Sequence, residues 1–285
     1  MEKSASGWVY GGLGVLVFSG SMPATRAALA GFDPFFLTMA RAALAGVLAL
    51  GLLLVFRQPR PARADLASLG LVALCVVVGF PLLSALALRH IDAAQSQIFL
   101  GLLPLVTAAF GALRGGERPR TGFWLCAGLG SCLAGAALRH GAGLPRTGVT
   151  LMLSAVVVCG LGYAEGAKLS RRLGGWQVIS WALVLALPLM LLTCWFSYPG
   201  SLAHVPDRAW VGLAYVSAFS MLLGMVFWYR GLALGGIATV GQLQLLQPAL
   251  GLAASALVLH ETVPPMMFVV TTAILLCVAG SKRFA

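Results

Sequence analysis

Ten apolar stretches, each long enough to cross a lipid bilayer, leave this 285-residue chain almost no material outside a membrane. A membrane-crossing helix needs about 20 predominantly apolar residues. Such stretches cover roughly 7–29 (span 1), 33–56 (span 2), 66–88 (span 3), 93–114 (span 4) and 121–139 (span 5). They continue over roughly 147–169 (span 6), 175–197 (span 7), 208–230 (span 8), 238–259 (span 9) and 263–281 (span 10). Span 1 begins after Glu2 and Lys3 and has the look of a signal peptide, but its removal would destroy a five-plus-five symmetry. The expected fold class is an all-α integral membrane protein of ten transmembrane helices. Charged residues make up only 9% of the chain, against about 25% in a soluble domain.

The charge has a topological meaning. A net charge of +11 would suggest nucleic acid in a soluble protein. Here the basic residues lie in short loops, where they set orientation. With the N-terminus inside, thirteen Lys and Arg fall at inner ends and five at outer ends, with Arg41 inside a span. Both termini are therefore expected in the cytoplasm, and no nucleic-acid partner is expected.

The chain repeats itself. Gln95-Ser96-Gln97 opens span 4, Pro104 interrupts it and Glu117 follows it; Gln242-Leu243-Gln244 opens span 9, Pro248 interrupts it and Glu261 follows it. Each pair, Pro104 with Pro248 and Glu117 with Glu261, is 144 residues apart. Ala85-Leu86-Ala87-Leu88 before Ile91 returns as Gly231-Leu232-Ala233-Leu234 before Ile237. Two units follow, 1–142 and 143–285. An odd number of spans per unit inverts the second copy. Inverted repeats are a transporter signature, with the site at the repeat interface near the midplane. Each proline lacks an N–H, so the carbonyl four residues earlier, of Leu100 or Gln244, loses its helical partner. In hydrocarbon such a carbonyl must face protein or a wet cavity. Pro104 and Pro248 are the expected helix-break and gating positions.

On these residues the chain resembles the drug/metabolite transporter superfamily, and within it the EamA-type ten-helix carriers. Ser19-Gly20-Ser21-Met22-Pro23, Arg41, Pro104 with Gly116-Glu117-Arg118, and Gln247-Pro248 with His260-Glu261 carry the likeness, which extends over the whole chain. In general character it is most similar to the amino-acid exporters of bacteria. The resemblance implies a basket of ten helices, spans 1, 3, 4, 6, 8 and 9 around a pathway, and export of small metabolites. His260-Glu261 stands where Gly-Glu is commoner, which weakens any equal role for Glu117 and Glu261.

The expected cavity lining is Phe80, Ser84, Gln97, Gly101, Tyr163, Ser220, Met221 and Gln244, a mixed polar and apolar hollow without fixed charge. Such a hollow suits a zwitterion or neutral molecule with an apolar side chain. It suits neither phosphate esters, which need Arg or Lys clamps, nor cations, which call for a buried carboxylate and aromatics. Glu165 is the one carboxylate well inside a span; it has two readings, proton coupling or an i, i+3 ion pair with Lys168, of which the ion pair is favoured. Arg41 is expected to serve structure by binding a carbonyl at a helix end, with a substrate carboxylate as the other reading. The four histidines sit at outer loops without metal-ligand spacing. Of the six cysteines none forms Cys-x-x-Cys, so buried free thiols are expected, and no metal or cofactor.

The function expected is export of amino acids, aromatic or large apolar ones included, or of similar small metabolites from a bacterial cytoplasm across its inner membrane by alternating access. The partners expected are that small molecule and the bilayer, with a single chain forming the carrier. One rival is a proton-coupled multidrug or cation exporter, favoured if Glu165 faced the cavity. A membrane-embedded enzyme lacks its motifs here, with no His-Glu-x-x-His, no Gly-x-Ser-x-Gly and no intramembrane carboxylate pair. A passive channel lacks a charged ring.

Overall fold

The structure, a computed structural model, describes residues 2–116 and 144–259, with isolated residues between 121 and 129 and between 269 and 273. Spans 5 and 10, with Glu117, Glu261, His140 and His260, lie outside the described residues apart from those isolated positions. Among the described residues every regular element is a helix. Seven helical stretches are long and apolar enough to cross a membrane. They are Pro34–Val55, Arg63–Ala87, Ala93–Arg114, Arg146–Leu173, Gly175–Phe196, Asp207–Gly235 and Ile237–Leu259, and they correspond to spans 2, 3, 4, 6, 7, 8 and 9. Span 1 is helical as Glu2–Ser19 and Ser21–Ala28, separated at Gly20.

Local chemistry sets the ends. Span 2 starts at Pro34, whose fixed φ suits a first helical position, and the Asp33 carboxylate accepts the Phe35 N–H at 2.8 Å. Span 4 starts with a capping box in which the Gln95 amide oxygen accepts the Asp92 N–H at 3.0 Å. Gln95 is thus committed to a helix start. Spans 6 and 8 stop at Gly174 (φ 94°) and Gly236 (φ 91°), a conformation that favours glycine. The next span follows at once in both cases.

The spans alternate in direction. At one end, Gln58 meets Gln177, Asp65 meets Arg172, and the Arg230 guanidinium lies 4.4 Å over the Tyr10 ring. At the other end, Arg26 donates to the Leu88 carbonyl and pairs with Asp92 at 3.6 Å, while Arg89 pairs with Asp33 at 3.7 Å. Those are the same two sets of loops that the basic-residue count separates.

A close backbone contact joins spans 1 and 8. Gly7 and Gly11 face Gly231 and Gly235; a Cβ on Gly231 would stand 2.6 Å from the Gly11 nitrogen, and one on Gly7 would stand 2.8 Å from the Gly235 nitrogen. Small residues four apart let two backbones approach this closely. The centre of the bundle is aromatic: Tyr163 lies 5.6 Å from Trp228 and 6.4 Å from both Phe18 and Tyr229, ring centre to ring centre. Outward faces carry exposed Leu54, Val55, Leu192, Trp195 and Phe196. That inverts the usual soluble arrangement and suits hydrocarbon.

Candidate functional site

Besides span 1, four spans leave regular α geometry near mid-length, and these departures pair across the repeat, span 3 with span 8 and span 4 with span 9. Span 3 widens to π winding over Ala73–Gly79, where the Phe80 N–H bonds the Cys75 carbonyl, and span 8 does the same over Tyr215–Gly224. Such wide turns recur at functional sites. Pro81 explains the first, since its missing N–H favours rewinding just before it. No comparable signal precedes the second. Spans 4 and 9 tighten instead. Ahead of Pro104, Gly101 donates to Ile98 at 3.2 Å and Leu102 to Phe99 at 3.0 Å. Ahead of Pro248, Gln242–Leu245 is a 3-10 turn. The Gln244 carbonyl, expected to be left open by Pro248, instead accepts a backbone N–H at the end of that turn. Tightening supplies the donor that the proline removed.

Polar contacts tie these irregular segments together. The Tyr215 hydroxyl donates to the Val17 carbonyl at 2.7 Å, just before the break in span 1. Ser21 and Ser220 share a hydrogen bond of 2.7 Å between spans 1 and 8. The Tyr229 hydroxyl donates to the Gly162 carbonyl at 3.1 Å, joining spans 8 and 6.

A pocket lies where the segments meet. Span 1 lines it with Phe18, Ser21 and Met22, span 3 with Val76, Phe80 and Pro81, and span 8 with Ser220, Met221 and Met225. Leu103, Tyr163 and Gln247 add one residue each from spans 4, 6 and 9, and Arg41 adds one from span 2. Its free volume is ≈ 30 Å³, room for about two water molecules. An amino acid needs several times that volume.

The expected lining residues divide. Phe80, Tyr163, Ser220 and Met221 line the pocket. Ser84, Gln97, Gly101 and Gln244 are buried outside it. Ser84 donates to the Pro81 carbonyl at 3.1 Å. The Gln97 amide lies flat on span 9 at Gly251, where any Cβ would collide with it. Gln244 has no hydrogen-bond partner for either polar atom of its amide among the described residues. Gln247, one turn further along span 9, is the glutamine that reaches the pocket.

Arg41 overturns two expectations. Span 2, implied to be peripheral, contributes to the pocket, and the pocket does hold a fixed charge. Arg41 is 5% exposed, and its guanidinium donates to the Val216 carbonyl in the wide turn of span 8 at 3.3 Å. The carbonyl-binding reading of Arg41 therefore describes one of its donors. Nothing in sequence indicated which face of span 2 turns inward.

Glu165 is in an ion pair whose close partner is Arg114, with the charge of Lys168 acting on it from further away. Lys168 is exposed, and Arg114 of span 4 reaches Glu165 at 2.7 Å while the Ser68 hydroxyl donates to its other oxygen at 2.6 Å. One turn along span 3, Asp65 accepts from both terminal nitrogens of the Arg172 guanidinium. These carboxylates bind spans 3, 4 and 6 at one end, and neither lines the pocket.

Comparison with known proteins places this geometry. The model of the EamA-like transporter family matches residues 5–138 and again 146–281. Over 286 residues, 100% of both chains, the sequence is 60% identical to a Bacillus subtilis (strain 168) protein described as "Uncharacterized transporter YdeK". A protein of known crystal structure, 17% identical, superposes with a TM-score of 0.76 over 98% of this chain and 99% of its own. At that identity the likeness speaks for the fold alone.

Proposed function

We propose that this chain, which belongs to the EamA-like transporter family and is a multi-pass membrane transporter, exports amino acids or similar small neutral metabolites. The carrying observation is the central pocket, lined from both halves of the chain at the points where spans 1, 3 and 8 leave α geometry. Irregular backbone inside a membrane is sustained where it is buried in protein or lines a cavity, and a mid-membrane site at a repeat interface is where secondary carriers bind. In this reading ten helices form two inverted units, the site opens to each side in turn, and the protein sits in a bacterial cytoplasmic membrane. Phe18, Met22, Phe80, Met221 and Met225 offer apolar, adaptable surface to a side chain.

The cation-exporter reading loses its support. Arg41 is the charged member of the pocket lining and repels cations, while Glu165 is held by Arg114 away from the pocket. An enzymatic role has no supporting feature in the pocket, where the polar groups are hydroxyls, one amide and one guanidinium.

Proteoliposomes holding the purified protein test the proposal with a panel of radiolabelled amino acids, with and without a pH gradient. Saturable uptake of neutral amino acids, competed by unlabelled ones, is expected. Uptake confined to organic cations would overturn the substrate class, and a pH-gradient requirement would add proton coupling.

A further inference from the structure

We infer that Arg41 and Gln247 are the two polar anchors of one binding site, Arg41 for a carboxylate and Gln247 for an ammonium group. The pocket then takes a zwitterion with an apolar side chain. This rests on reading the pocket as the carrier's substrate site.

The two residues complement each other. Arg41 is 5% exposed, and one guanidinium nitrogen donates to Val216 while Nε has no acceptor. No carboxylate among the described residues pairs with it. A guanidinium keeps its proton in proteins, so this is a standing cation with an unused donor. Gln247 is 4% exposed, and its amide oxygen has no donor. Both line the same small pocket. Buried polar groups normally have partners, and one unused donor and one unused acceptor on the lining of one small pocket complement an α-amino acid's head group. A carboxylate is the planar, charged acceptor that guanidinium geometry matches best. The rest of the lining is largely Phe, Met and other apolar residues, which leaves the side chain of the solute an apolar bed.

The fold does not require the charge. Spans 2 and 7 have the same length, 22 residues, and pack against each other, with Gly46 seated on Leu183 and Leu187. Counted from each helix start, the position of Arg41 in span 2 corresponds to Ala182 in span 7. Ala182 and its neighbour Leu183 are apolar and fully buried. The second unit thus builds the same helix around an apolar residue. The charge belongs to the pocket and not to the repeat.

Three probes separate the anchors: L-leucine, its carboxamide L-leucinamide, and 4-methylpentanoic acid, which lacks the amino group. Binding is read from the intrinsic fluorescence of the full-length protein in detergent. Wild-type protein should bind leucine at least about tenfold more tightly than leucinamide, the effect of one charge-assisted pair. Arg41→Gln should bring that gap to within about twofold, and Arg41→Lys should keep most of it. Gln247→Leu should weaken leucine and leucinamide and leave 4-methylpentanoic acid unchanged. Equal binding of leucine and leucinamide by the wild type would overturn the inference without any variant, even if Arg41→Gln does not fold. So would an unchanged gap in Arg41→Gln, which would make Arg41 a strut to the Val216 carbonyl. Wild-type protein that binds none of the three overturns the amino-acid reading itself, and this inference with it.

Discussion

The Nε of Arg114 stands 2.7 Å from Oε2 of Glu165, joining the end of span 4 to the body of span 6 through partners of unequal burial. The Glu165 side chain is 2% exposed and that of Arg114 is 45% exposed. Without Glu165, Arg114 turns to water. Without Arg114, Glu165 is a buried carboxylate served by the Ser68 hydroxyl and the more distant charge of Lys168.

That asymmetry sets the first prediction. Arg114→Leu should destabilise by about 1–3 kcal/mol and Glu165→Gln by under about 1 kcal/mol, because only the former strands a buried charge. The double variant should recover most of the Arg114→Leu loss. Melting temperatures of the purified proteins measure this, and equal losses in the two single variants would contradict it. Glu165→Gln should also keep most transport; complete loss would instead mark Glu165 as a coupling group.

Helix packing supplies a cleaner test. A Cβ on Gly231 meets Gly11 backbone at 2.6 Å, and backbone cannot rotate away as a side chain can. A Cβ on Gly12 meets nothing within 4 Å. Gly231→Ala should therefore destabilise by about 1–3 kcal/mol through overpacking, while Gly12→Ala should be neutral or slightly stabilising. If both variants melt alike, the close contact of spans 1 and 8 is not what holds these helices.

Gln244 is buried outside the pocket, and both polar atoms of its amide lack a hydrogen-bond partner among the described residues. Gln244→Leu should therefore leave apparent affinity for the transported solute within about twofold of wild type, while Tyr163→Phe, a change in the pocket lining, should weaken it by roughly twofold to tenfold. A loss of about tenfold in Gln244→Leu would give Gln244 a substrate contact of its own.

Orientation is decided by labelling. With both termini in the cytoplasm, a single cysteine at Ser201 should react with an impermeant maleimide added to intact cells, and one at Arg60 should not. The reverse pattern would invert the chain and remove the charge argument behind the topology.

Among the described residues the sequence by itself determined the helices and their order, because hydrocarbon leaves a backbone little choice: each stretch of about 20 apolar residues must satisfy its own N–H and C=O groups. Pro104 and Pro248 marked two of the irregular segments, since a missing N–H is a covalent fact. The glycines of spans 1 and 8 were equally visible as letters, but their pairing was not. Four expected lining residues reached the pocket and four did not. The tertiary structure decided that, because facing depends on how each helix is rotated against its neighbours. A single π turn inserts about one residue and rotates everything beyond it by about 100°. Span 8 makes such a turn with no proline to announce it. Whether Arg41 would be a strut or part of a site was likewise undecidable from span 2 alone. Its burial, its bond to Val216 and its place on the lining that Gln247 also reaches exist only once spans 2, 8 and 9 are packed together.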